Sequence, residues 1–214
     1  MPLCLPIPQR LPVMMLSGCN LLPHGLLPLH VFEPRYRMML EKVLQGDRMF
    51  CIGTLQGPDE TFDPSDCIHP ASTAGFVRAC VAQPDGCSNL LLQGLQRIRL
   101  SDFRTDRPYV TAAVTPITTD HGDPGEISEL VEDVRSQAME LIAMDDEDAS
   151  RLIQEQVCGL EDPEMLGDLI GYHFIEKPEE RHLLVETACL HARLAHLKKC
   201  LDQRLIGEIS EDSP

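Results

Sequence analysis

The side chains able to bind metal or act as nucleophiles are scattered along this chain, and their spacing decides how far such chemistry can be read. His182, Cys189, His196 and Cys200 fall on one side of a C-terminal helical stretch, beside a leucine face. Seven helical residues rise about 10.5 Å, so only His196 and Cys200, one turn apart, could share an ion. They supply half a ligand set, and no metal site is expected. Cys51, Cys67 with His69, and Cys80 with Cys87 are similarly spread and read as buried thiols. Nine cysteines with no Cys-x-x-Cys pair fit neither a disulfide framework nor a zinc knuckle, and point to reduced thiols in the cytosol. The chain has four lysines, none followed by Ser or Thr, which excludes a Walker A phosphate loop. Gly-x-Ser-x-Gly, His-Glu-x-x-His and Gly-x-Gly-x-x-Gly are absent too, removing the commonest hydrolase, zinc-peptidase and dinucleotide signatures. Asp145-Asp146-Glu147-Asp148 lacks the spacing and glycine of a calcium loop and reads as a solvated loop between helices. No catalytic residue and no cofactor are expected.

Two segments stand out instead. Leu26-Leu27-Pro28-Leu29-His30-Val31-Phe32-Glu33-Pro34-Arg35-Tyr36-Arg37 is an apolar strand running into a helix whose first turns carry Glu33, Arg35, Tyr36 and Arg37. The plain explanation is that Glu33 serves the helix N-terminus and the arginines pair with nearby acids. Gly94-Leu95-Gln96-Arg97-Ile98-Arg99-Leu100 alternates, with Arg97 and Arg99 on the face opposite Ile98 and Leu100, as on a solvated sheet.

The elements that must position these residues divide into two halves. Residues 1–118 carry ten basic and ten acidic side chains, whereas residues 119–214 carry eight against twenty-four. The halves meet in the breaker-rich stretch Thr118 to Gly125, giving domains 1–118 and 126–214 with a junction at 119–125. Short apolar and β-branched runs in the first half predict strands at 13–16, 26–32, 49–55, 75–82, 90–93, 96–103 and 109–117, with Pro84-Asp85-Gly86 closing a hairpin. One helix interrupts them, from Pro34 to Gln45, with Gly46 as its cap.

The second half changes to a helical period. Ile127, Val131, Val134, Ala138 and Leu141 predict a helix opened by Asp123-Pro124 and ending near Asp145; helices around 152–160 and 163–174 follow. A fourth, from about Pro178 to Leu205, carries Leu183, Leu190, Leu194, Leu197, Leu201 and Leu205 on one face. No apolar run approaches the roughly 18 residues that span a bilayer, so no membrane association is expected. Leu16-Ser17-Gly18-Cys19 has the form of a lipoprotein box, but Pro2, Pro6, Pro8 and Pro12 break the stretch ahead of it and acylation is not expected. A net charge of −16 opposes nucleic-acid binding, because that affinity rests on Lys and Arg displacing counterions.

Leu21-Leu22-Pro23-His24-Gly25, continuing through Leu26 to Arg37, closely resembles the N-terminal substrate-binding domain of Lon ATP-dependent proteases, in its stand-alone bacterial form. Asp85-Gly86, Gly94-x-x-Arg97-x-Arg99, Arg107-Pro108-Tyr109 and the helical tail match in the same order, covering roughly residues 5–205. The resemblance implies an α+β fold, a β-rich subdomain of PUA-like topology followed by a helical bundle of about four helices. It also implies capture of unfolded or damaged polypeptide. With the chain ending at Pro214, neither an ATPase nor a protease domain is expected, and no enzymatic activity. The family often has Phe-Pro-Gly where Leu22-Pro23-His24 stands here, so the local shape of that loop is open.

The expected function is therefore a cytoplasmic, non-catalytic polypeptide-binding or adaptor module. Its partner is an unfolded polypeptide or a specific protein, a Lon protease being one candidate, and its oligomeric state is open. Candidate contacts are Leu27, Leu29 and Phe32 at the strand–helix corner, with Glu33, Arg35, Tyr36 and Arg37 supplying polar recognition; strand addition at a sheet edge is a second route. The alternatives are a Cys/His-dependent enzyme on the same scaffold and an RNA-binding PUA-like module. Few lysines and no Trp supply the latter poorly.

Overall fold

A computed structural model describes residues 5–56, 63–144 and 148–211. The chain divides into two compact units, Met1–Ile117 and Thr118–Pro214.

The first unit is a bent sheet. Its strands are β1 (Arg10–Ser17), β2 (Leu26–Val31), β3 (Met49–Leu55), β4 (Ala71–Ala82), β5 (Ser88–Arg104) and β6 (Val110–Pro116). Helix α1 (Pro34–Gln45) follows β2, and a single turn, α2 (Pro64–Cys67), precedes β4. The order is β2-β5-β4-β3-β1-β6, and β6 pairs back onto β5, so five strands close into a barrel with β2 added outside. Only β1 and β3 run parallel. Closure gives β6 a partner on both sides, while β2 presents an outer edge with no strand beyond it among the described residues.

Closure depends on the 17 residues of β5. Its first half pairs with β2 and its second with β6, while β4 spans both. Sequence patterning predicts two strands here, divided near Gly94. The division is instead a bulge: Gly94 faces Gly75, Gln96 faces Ala74, and Leu95 is left over. An extra residue bends a strand and raises its twist, and that lets one strand serve two neighbours.

Two apolar clusters fill the unit. Leu11, Val13, Cys51, Ala74, Ile98 and Ala112 pack with others as one. Met14, Val31, Tyr36, Met39, Phe50 and Leu92 pack with others as the second, which seats α1. Helix α1 begins at Pro34, where a missing N–H costs nothing, and stops at Gly46, whose N–H bonds the Val43 carbonyl.

The loop between β1 and β2 settles the open question about Leu22-Pro23-His24. His24 adopts φ 65°, the left-handed region that glycine enters most readily, with a side chain attached. Its N–H donates to the Gly94 carbonyl at 2.9 Å, and Gly94 N–H donates to Gly25 at 2.9 Å. A side chain held there costs about 1–2 kcal/mol, which glycine would recover against its larger chain entropy. His24→Gly should therefore stay within about 0.5 kcal/mol of the parent in urea melts, and His24→Val, β-branched, should lose about 1–2 kcal/mol.

The second unit is helical: α3 (Pro124–Met144), α4 (Asp148–Gly159), α5 (Pro163–Phe174), α6 (Pro178–Glu186) and α7 (Leu190–Glu211). Aspartates open two of them. Asp123 Oδ1 accepts from the N–H groups of Gly125 and Glu126, and Asp162 Oδ1 accepts from Met165 N–H at 2.9 Å. The acidic run after α3 lies largely outside the described residues, and Asp148 already belongs to α4.

Among the described residues the bundle has five helices where about four are expected, because the long C-terminal helix is broken at 187–189. Asp120 forms a parallel bridge with Cys189, its N–H bonding Ala188 O at 3.0 Å and its carbonyl accepting from Leu190 N–H at 2.8 Å. This backbone stitch takes Thr187 out of helical geometry (ψ 111°) and shifts the phase of α6 against α7. Leu190, Leu194, Leu197, Leu201 and Leu205 are buried as their spacing predicts, while Leu183 is left 40% exposed and Leu184 takes the inner position. Among the described residues no helix is long and apolar enough to cross a membrane, and no disulfide joins any two of the described cysteines.

Candidate polypeptide-binding surface

The strand–helix corner singled out by sequence divides into three environments. Leu27 and Leu29 share the parity of Val31 and turn inward, half-buried against the cluster beneath α1. Tyr36 is 4% exposed, and its hydroxyl accepts from Met15 N–H at 3.0 Å and donates to Met15 O at 3.1 Å. Of these three residues, expected as surface contacts, Tyr36 belongs to the core and Leu27 and Leu29 pack half-buried against it. A phenol that satisfies a buried strand backbone has a structural task already.

Glu33 and Arg35 pair with one another, Arg35 Nε to Glu33 Oε2 at 2.8 Å, and the guanidinium lies 4.5 Å from the Tyr36 ring centroid. The Glu33 side chain makes no capping bond, although its carbonyl accepts from Tyr36 and Arg37 N–H. Both side chains are about one-third exposed, so the pair contributes little to stability. Arg37 is exposed, and its guanidinium lies against Gly86 of the β4–β5 turn, where any Cβ would strike it. Gly86 at φ 81° completes that turn, which the Asp85 carboxylate braces by accepting from Cys87 N–H at 2.9 Å. That bond holds the Asp85 carboxyl below its usual range.

The exposed surface lies on the other parity of β2. Leu26, Pro28 and His30 point away from α1, and the register continues their rows across the sheet: Leu26–Gln93–Phe76, Pro28–Leu91–Ala79 and His30–Asn89–Val81. Phe32 stacks on His30 with ring centroids 5.9 Å apart. Phe32 and Val81 are each 60% exposed and Leu26 42%. An apolar outer face thus spans β2, β5 and β4, with Arg37 and the exposed Met38 beside the neighbouring turn. Of the residues expected from sequence, Phe32 and Arg37 are accessible. Leu26, Pro28, Met38 and Val81, not singled out from sequence, are exposed as well. The signal lay in His30, the one polar residue of β2, which shares parity with Leu26 and Pro28 and marks the solvent side.

Cysteine chemistry is unsupported at the thiols where the structure speaks. Burial pushes the Cys51 thiol up to about 12. Cys200 lies 3.6 Å from His196 Nε2, but burial and the neighbouring Glu180 carboxylate push its thiol up to about 11. Both stay protonated at neutral pH, the reverse of an activated nucleophile.

A closed β-barrel carrying an extra edge strand, followed along the chain by a helical unit, is the fold of solved N-terminal domains of Lon proteases. The N-terminal domain of Mycobacterium avium complex Lon protease matches with a TM-score of 0.72 at 17% identity, covering 90% of this chain and 98% of that one. A Lon N-terminal domain protein from Xanthomonas campestris matches with a TM-score of 0.62 at 21% identity, covering 88% of this chain and 96% of that one. Residues 10–203 match the family model of the ATP-dependent protease La (LON) substrate-binding domain, and the chain belongs to that family. Among relatives, Lon protease of Desulfosudis oleivorans is 24% identical over 201 residues and that of Roseiflexus castenholzii 26% over 200, covering 93% and 92% of this chain. The chain spans about a quarter of the length of these relatives.

Proposed function

We propose that this protein is a non-catalytic substrate-recognition module that captures exposed apolar segments of non-native polypeptide on the outer face of β2, β5 and β4. The observation that carries this reading is the register that gathers Leu26, Pro28, Leu91 and Val81, with Phe32, onto one exposed face of a domain whose family is defined by substrate binding. Arg37 at the rim supplies a cation, while Glu33 and Arg35 are committed to each other. Side-chain contact is favoured over strand addition. Pro28 sits at the centre of the outer edge of β2 and has no N–H to offer an incoming strand there. Binding driven by apolar area is weakly dependent on salt, unlike binding to a phosphate backbone. A Lon protease as partner and a reducing cytoplasmic compartment fit the same reading.

The test is binding to a reduced, carboxymethylated, permanently unfolded protein beside its native form, at two salt concentrations and without nucleotide. The unfolded chain should bind preferentially and with little salt dependence. Phe32→Ser combined with Val81→Ser should weaken binding at least about tenfold without lowering the melting temperature, since each loses roughly 1–2 kcal/mol of apolar contact. Unchanged binding by the double variant would remove this face from the mechanism.

A further inference from the structure

The last helix carries His196 and Cys200 one turn apart, a pair suited to one ion but lacking further ligands by sequence. The helix break supplies one. Because α6 and α7 are separate elements folded together, Glu180 of α6 comes to face this pair: His196 Nε2 lies 3.1 Å from Glu180 Oε2, Cys200 Sγ lies 3.6 Å from His196 Nε2, and Cys200 Sγ lies 3.8 Å from Glu180 Oε2. A tetrahedral zinc with bonds of about 2.3 Å to sulfur and about 2.0–2.1 Å to nitrogen and oxygen needs edges of about 3.6 Å for S–N, 3.4 Å for N–O and 3.5 Å for S–O. All three observed edges lie close to those values. The three ligand atoms form one face of a coordination tetrahedron without rearrangement.

We propose that Glu180, His196 and Cys200 form a zinc-binding site that clips α6 to α7. Three protein ligands leave a fourth position for water, and the cavity beside the site, of about 530 Å³ and lined by Glu180, Cys200, Lys177 and Arg204, gives room for it. A thiolate, a carboxylate and a neutral imidazole balance the charge of a divalent ion, which suits a half-buried position. The mixed sulfur, nitrogen and oxygen set favours zinc over magnesium or calcium, which take oxygen ligands. Binding exchanges protons for metal. His196 Nε2 also lies 3.1 Å from the Glu180 carbonyl, to which it donates without metal. On binding, the imidazole carries its N–H at Nδ1 instead, and the Cys200 thiol releases its proton to solvent.

The full chain, reduced and stripped with chelator, is titrated with Zn²⁺ by calorimetry and with Co²⁺ by absorption. One ion should bind per chain, and Co²⁺ should give a thiolate-to-metal charge-transfer band with the strong visible bands of four-coordination. Cys200→Ser should abolish the charge-transfer band. His196→Gln and Glu180→Gln should each weaken Zn²⁺ binding at least about 100-fold, and Cys158→Ser, at an exposed thiol of the same unit, should change neither measurement. Melting of each stripped variant near the stripped parent shows that the fold is intact; should Cys200→Ser not fold, the two glutamine variants decide. Failure to bind one Zn²⁺ per chain, retention of binding in the variants, or equal binding of Mg²⁺ overturns the site.

Discussion

Gly94→Ala should cost the first unit about 3 kcal/mol or more, or prevent it from folding, as read by urea or thermal denaturation. A Cβ at Gly94 would fall on the Leu22 carbonyl oxygen and close to Pro23 Cα, which are backbone atoms with no rotamer to yield. The loop cannot withdraw, because His24 and Gly25 are bonded to Gly94 on either side. Relief therefore requires the β1–β2 loop to leave the barrel, which gives up both bonds and the entry of the chain into β2. Overpacking ordinarily costs about 1–3 kcal/mol where side chains can shift, and this position lies beyond that case. The same substitution at Gly207, exposed in α7 with open space around it, should stabilise by about 0.5–1 kcal/mol because alanine holds a helix better. Equal effects at the two positions would refute the steric account of Gly94.

Glu164→Ala should destabilise the helical unit by about 3 kcal/mol. Arg193, 4% exposed, places Nη2 3.0 Å from Glu164 Oε1 and 3.3 Å from Thr119 Oγ1, and the Thr119 hydroxyl donates to Glu164 at 2.6 Å. Removing the carboxylate leaves a buried guanidinium facing less compensating charge, which is the costly way to break such a pair. Arg193→Leu should cost about 1–2 kcal/mol, less than Glu164→Ala, because Glu164 is a quarter exposed and regains water and Leu184, Leu190, Leu194 and Leu197 receive the leucine, while the buried Asp168 in the same lining keeps the change from being neutral. The double variant should be no worse than Glu164→Ala alone. A cycle in which Arg193→Leu proves the more damaging change would show the pair to be net stabilising.

Much of this molecule was legible from local pattern. Pro34 and Gly46 bound α1, Met49 to Leu55 is β3 at its full extent, and the 3.6-residue stripe from Ile127 to Ile142 defines the buried face of α3. What failed were features set by partners distant in sequence. The bulge at Gly94 and the break at Thr187 are each imposed by backbone pairing, with Gly75 and with Asp120, and no window of neighbouring residues contains that information. The short α2 turn was missed because four residues carry no period, although Asp63-Pro64 is a capping signal. At the candidate surface the difficulty was parity: every position of β2 except His30 is apolar, so composition alone does not say which side of the strand meets water. Arg97 shows the limit in reverse, since alternation places it on a solvated face and the fold buries it to 2% exposure.

The stitch at Asp120 bears on the order in which the chain folds as it is made. The barrel needs nothing beyond Pro116, so all of its strands are present once that residue has left the ribosome. The helical unit is different: its first residues, Thr119 and Asp120, are held by Glu164, Ala188, Leu190 and Arg193. Arg193 follows Thr119 by 74 residues, which at translation rates of about 5–20 residues per second is a delay of roughly 4–15 s. During that interval a folded barrel trails a strongly acidic, unassembled segment. The charge that distinguishes the second half of the sequence favours solvation of the nascent helices until the last one arrives to bind them together.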